Sequence, residues 1–173
     1  MTLLIRNSVF ETNSSSCHSI SISQDTIVIP KTNDIQELNM QNYVFGWDRI
    51  NYTDTKSKLA YIVIYIRDWA METKWDDEEL VVISNIKALA FSAILYESVF
   101  EVTNRPSILL NGIELFDVIT NWSDYENHPC REGYIDHQSV ENSDLDYLFI
   151  DKTVLQQFIF CDKSKLRTNN DNY

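Results

Sequence analysis

A chain of 173 residues with 44% hydrophobic and 12% aromatic side chains can build a core without help from a metal or disulfides. Its 26 acidic and 14 basic residues leave a net charge of −12, which argues against a basic nucleic-acid-binding face and against direct nucleic-acid binding. Three glycines and three prolines exclude a Gly-rich phosphate loop, and the odd set Cys17, Cys130 and Cys161 has no zinc spacing.

Thr2 to Ile5 reads as a first strand. From Cys17 to Ser23 apolar and polar residues alternate strictly. His18, Ile20 and Ile22 share one face; Cys17, Ser19, Ser21 and Ser23 share the other. Thr26 to Ile29 is β-branched, ends at Pro30, and is expected to pair with that strand across Gln24-Asp25. Lys31 to Ile50 reads as loop with short elements. Asp54 then caps an amphipathic helix whose apolar positions are Leu59, Ile62, Val63, Ile66, Trp69 and Ala70.

A second helix starts in the acidic turn Asp76-Asp77-Glu78-Glu79, which suits the positive end of the helix dipole, and runs to about Phe100. Its apolar residues reach nearly all round, so it is expected to be the central buried helix, with Ile62, Ile66, Trp69, Ile86, Leu89 and Ala93 in the core. On that basis Trp69→Ala should cost about 3–5 kcal/mol. Ile108 to Leu110 is a strand before an Asn111-Gly112 turn, and Glu114 to Thr120 a short helix. Asn121 to Gly133 is irregular. Tyr134 to Val140 is a strand, Leu145 to Phe149 a helical turn, and Val154 to Phe160 a helix or a strand. The tail from Thr168 to Tyr173 is polar and expected to fray.

Three polar segments hold the material for chemistry: Ser14 to Ser19, Asp136 to Ser139, and Asn169 to Asn172. A serine or cysteine close to a histidine and an aspartate is a nucleophile–base arrangement. Neighbours on a strand point to opposite faces, so His18 cannot activate Cys17. A site would combine Ser16, Cys17 and His18 with Asp136, His137 and Ser139. The blander readings stand beside it: a serine turn, a packed cysteine, and His18 as a half-buried core histidine. His137-Gln-Ser139 has the His-x-Ser form of a two-histidine phosphoesterase; His18-Ser-Ile20 lacks it. No metal-ligand spacing is present, and neither a metal nor a cofactor is expected.

Between Asn111 and Asp151 the acids are Glu114, Asp117, Asp124, Glu126, Glu132, Asp136, Glu141, Asp144, Asp146 and Asp151, against one base, Arg131. Such a run is either a solvated face or a surface matched to a basic groove, such as one that normally holds nucleic acid. Tyr125, Tyr134 and Tyr147 lie among these acids as candidate anchors. The apolar stretches are too short and too interrupted to cross a membrane. With no signal-peptide pattern and free thiols, a cytoplasmic location is expected.

The opening Ile5-Arg-Asn-Ser-Val-Phe-Glu-Thr-Asn-Ser-Ser-Ser-Cys-His-Ser19 resembles the start of a group of uncharacterised phage proteins. Gly133-Tyr-Ile-Asp-His-Gln-Ser139, and Phe158-Ile-Phe-Cys-Asp-Lys-Ser164 with Asn170-Asp-Asn172, are similar to later parts of that group. The resemblance implies a phage origin and brings no activity with it. The expectation is one α+β domain over residues 1–173, a mostly antiparallel sheet against two main helices. Its function would be that of a phage accessory protein that binds and blocks or modifies a host or defence component. The contacts would come from Glu114, Asp117, Asp124, Tyr125, Glu126, Glu141, Asp144 and Asp146. A small hydrolase or transferase on a phosphorylated substrate is the alternative, and a structural virion protein a third option.

Overall fold

The computed structural model describes residues 2–5, 16–27, 37–46, 48–72, 78–105, 107–136 and 145–170. The fold is α+β. Strands β1 (Thr2–Ile5), β2 (Ser16–Ser23), β9 (Lys165–Asn170) and β5 (Asn51–Tyr52) form an antiparallel sheet in the order β1-β2-β9-β5. Both ends of the chain therefore build one sheet. β3 (Glu37–Leu38) runs parallel to β6 (Leu109–Leu110), which turns through Asn111-Gly112 into β7 (Ile113–Glu114). Both turn residues have positive φ, 50° and 84°, which asparagine and glycine tolerate best. β4 (Val44–Phe45) pairs in parallel with β8 (Tyr134–Ile135).

His18, Ile20 and Ile22 of β2 face the core as their alternation implies, but among the described side chains of the opposite face only Ser19 is partly open, since Ser21 and Ser23 are buried too. Its neighbours differ from expectation. β1 and β9 flank it, whereas Thr26 and Ile27 carry no strand; Val28 and Ile29 lie outside the described residues. Nor does the whole tail fray, since Thr168 to Asn170 complete β9 against His18, Cys17 and Ser16. Pairing with β2 along this stretch offsets the low strand propensity of asparagine.

Helix α1 (Thr55–Glu72) starts where Asp54 Oδ1 accepts from the Ser57 backbone N–H at 2.8 Å, as the sequence implies. This helix, not α2 (Glu78–Thr103), is the central one. Every residue from Lys58 to Arg67 is buried. Among the described side chains of α2 the buried stripe is Ala88, Ser92, Leu95, Ser98 and Val99, while Ile86 is 61% exposed and Ala93 faces solvent. Leu89 and Trp69 are half-buried. Two devices explain the exchange. The serines of α2 bury themselves by donating to carbonyls one turn back, Ser92 to Ala88 at 2.8 Å and Ser98 to Ile94 at 2.7 Å. The cations of α1 find carbonyl acceptors inside. Lys58 Nζ donates to the Cys161 and Ser164 carbonyls at 2.7 and 3.1 Å, at the end of α4 (Lys152–Phe160), where a cation suits the helix dipole. Burial nonetheless brings the Lys58 ammonium down to about 8.

α4 is a helix rather than a strand. Asp151 caps it by accepting from the Thr153 N–H at 2.8 Å, and Leu155, Phe158 and Ile159 face inward at helical spacing. α3 (Leu115–Thr120) follows β7 directly and buries Leu115, Val118 and Ile119. Short 3-10 turns at Trp122–Tyr125, Pro129–Arg131 and Asp146–Phe149 order stretches that read as irregular or as a turn. Among the described residues no helix is long and apolar enough to cross a membrane.

Candidate functional site

Two places gather the chemistry-bearing side chains. The first is the inner face of β2. His18 is 7% exposed, and its Nδ1 shares a 3.2 Å hydrogen bond with the Tyr61 hydroxyl of α1. Across the ladder it faces Thr168 of β9, whose hydroxyl donates to the Asp48 carbonyl. Phe45 stacks edge-on against Tyr61, with ring centroids 5.0 Å apart, and brings the following Gly46 to the histidine. The Asp136 N–H donates to the Phe45 carbonyl at 2.9 Å, which extends the β4–β8 pairing and carries Asp136 into the same neighbourhood.

Three effects act on the imidazole. Burial pushes its pKa below the ordinary 6.5, while the Gly46 carbonyl and the Asp136 charge pull it back. Burial wins, so the ring is held neutral. Nε2 has no hydrogen-bond partner among the described residues. A neutral imidazole with a nearby carboxylate is a potential base. It is also sealed from solvent, so a substrate would need the β4–β8 pair or the sheet to open.

The two polar segments, more than a hundred residues apart, thus meet in part. His18 and Asp136 come together, whereas His137 and Ser139 lie outside the described residues. Ser16 and Cys17 are placed by backbone register opposite Asn170 and Asn169. Cys130 is buried, and burial raises its thiol pKa, which disfavours a nucleophilic thiolate. His128 caps a 3-10 turn by accepting from the Cys130 N–H at 3.1 Å.

The sign of the His18 shift sets a stability window. The unfolded chain takes up a proton near pH 6.5, and the folded chain only at lower pH. The contribution of neutral His18 is therefore complete above that value and is lost as pH falls from it towards the folded pKa. Chemical denaturation on either side of pH 6.5 should show this loss. His18→Gln, which keeps a hydrogen-bonding group for Tyr61 but does not titrate there, should flatten it. An equal slope in both proteins would remove His18 as the cause.

The second place is the acidic segment, and its members separate by environment. Glu114 Oε2 accepts from the Tyr96 hydroxyl at 2.7 Å. Asp146 is held by Lys87 at 2.6 Å and by the Tyr65 hydroxyl at 2.8 Å, and Lys87 also lies 3.6 Å over the Trp69 ring. These two carboxylates are engaged within the fold, and the sequence carried no sign of it. Asp117, Asp124 and Glu126 are exposed and, among the described residues, paired with no cation. They ride on a segment anchored by Leu115, Val118, Ile119 and Trp122, with the Arg131 guanidinium 3.9 Å over the Trp122 ring. Tyr125 is half-buried against His128. Glu141 and Asp144 lie outside the described residues. Tyr134 is 52% exposed and lies in register opposite Val44, itself 47% exposed. Comparison with known proteins finds no matching family model, no matching curated sequence and no matching solved structure.

Proposed function

We propose that this chain is a phage-type accessory protein that binds a host or defence component through its acidic segment. The observation that carries the reading is the set Asp117, Asp124 and Glu126, exposed and unpaired among the described residues on a segment held by buried apolar side chains. Charges fixed on a packed support need no ordering when a cationic partner arrives, so they raise the encounter rate and orient the approach. A groove that normally holds nucleic acid is the partner surface this charge pattern fits best. The alternative, hydrolysis or transfer on a phosphorylated substrate, is favoured by one observation, the closeness of Asp136 to the buried His18.

The test is affinity capture from a bacterial lysate with the wild type and with Asp117→Asn/Asp124→Asn/Glu126→Gln, at low and raised salt, with and without added duplex DNA. A partner of the expected kind is retained by the wild type, weakened about tenfold or more by the triple substitution, weakened by salt, and displaced by DNA. Retention that is the same in both proteins and indifferent to DNA would overturn the reading and bring the enzymatic one forward.

A further inference from the structure

Among the described residues, four cations of this acidic chain are tied to carboxylates: Lys87 to Asp146, Lys152 to Glu97 and Glu101, Lys163 to Asp25, and Arg67 to Asp68. Lys165 and Arg167 on β9 are different. Both are exposed, and among the described residues neither has an ion-pair partner, although acids outnumber bases 26 to 14. Their strand sets them on the outer side of the sheet, since the intervening Leu166 and the following Thr168 are buried.

Register supplies their neighbours. Arg167 lies opposite Ser19 of β2 on one side and Asn51 of β5 on the other, and Lys165 lies opposite Ser21. Directly paired residues share a face. Asn51 is exposed and Ser19 half-exposed, whereas Ser21 is 8% exposed, so the open part of the face centres on Arg167. Adjacent strands are about 4.8 Å apart and alternate residues along a strand about 7 Å apart. A guanidinium, an ammonium, a hydroxyl and an amide therefore fall within reach of one tetrahedral anion. We infer that this outer face is a docking surface for a phosphorylated segment of a partner protein, with Arg167 and Lys165 holding the phosphate and Ser19 and Asn51 completing its hydrogen bonds.

The chemistry selects the ligand in two steps. A phosphomonoester carries a charge near −2 and three acceptor oxygens, which match a bidentate guanidinium plus further donors. A nucleic acid fits less well, because a chain of net charge −12 repels a polyanion. Among the described residues the face also lacks a stacking platform: Tyr52 lies opposite the buried Leu166, on the inner side. The inference uses neither the exposed carboxylates nor His18, so it and the proposed function fail separately.

Fluorescence anisotropy tests it with a labelled phosphoserine peptide flanked by alanine and glycine. Its unphosphorylated form, inorganic phosphate as competitor and a labelled oligothymidine serve as comparisons. The phosphopeptide should bind about tenfold or more tightly than the unphosphorylated form, and in a salt-dependent way. Arg167→Gln should lose about tenfold, and Lys165→Gln less, because an ammonium makes no bidentate contact. Thermal melts of both variants should match the wild type, since both side chains are exposed. Equal binding of the two peptides, or full affinity in Arg167→Gln, would overturn the inference. Tighter binding of oligothymidine would assign the face to nucleic acid instead. Displacement by inorganic phosphate at the peptide's own concentration would reduce it to a simple anion site.

Discussion

Replacing Arg67 with alanine is expected to cost about 3–5 kcal/mol, measured by chemical denaturation, because it removes a buried cation whose acceptors stay behind. The guanidinium is 2% exposed. Its Nη1 donates to the Glu132 carbonyl at 2.6 Å, and its Nη2 to the Gly133 carbonyl at 2.7 Å and to Asp68 at 3.3 Å. Burial lowers its pKa and Asp68 partly restores it. The turn it holds has no slack. Gly133 has φ +79°, and a Cβ there would meet the Met40 and Tyr43 carbonyls at 2.6 and 2.8 Å. Arg67→Lys keeps the charge but not the fork, so it should recover only part of the loss. A cost below about 1 kcal/mol for Arg67→Ala would mean that the backbone alone sets the turn.

Phe45→Ala should cost a similar amount, about 3–5 kcal/mol, from a large aromatic removed from a packed centre. Phe45 is fully buried between Tyr61 and Tyr52, both edge-on with centroids 5.0 Å away, and stacks on Tyr43 at 6.4 Å. The consequence reaches the candidate site. Tyr61 loses the ring that fixes it, and water gains a route to His18. The imidazole pKa, followed by NMR in the folded variant, should then rise towards its ordinary 6.5 as the burial penalty fades. An unchanged melt would contradict the packing described here. A destabilised variant with an unchanged His18 titration would show that Phe45 does not control access to the ring.

Much of the fold was legible because it is local. The alternation in β2, the Asp54 cap, the window of α1 and the Asn111-Gly112 turn each depend on a few contiguous residues, and each appears at its expected place. The ordering of the helices was not legible. Lys58 and Arg67 interrupt the apolar run of α1, yet their acceptors arrive from Cys161, Ser164, Glu132 and Gly133, far along the chain. The apolar girth of α2 pointed to the centre, but Ile86 and Ala93 face solvent because α1 already fills that position. The candidate site was half legible. Polarity singled out His18 and Asp136, and pattern placed His18 on the Ile20–Ile22 face. Tyr61 as its partner carried no signal, since a tyrosine in an apolar helix reads as packing.

The sequence by itself determined the α+β class, the spans of the main helices, the buried face of β2 and the acidity of the 111–151 stretch. Periodicity, caps and charge are properties of neighbouring residues, and they survive whatever the rest of the chain does. Tertiary structure alone decided that β9 and β1 flank β2, that α1 is the buried helix, and that Glu114 and Asp146 turn inward to Tyr96 and Lys87 while Asp117, Asp124 and Glu126 stay exposed. The reason is desolvation. Whether a charged or polar group is buried depends on the donor or acceptor that meets it there, and that partner comes from a segment which no local pattern names.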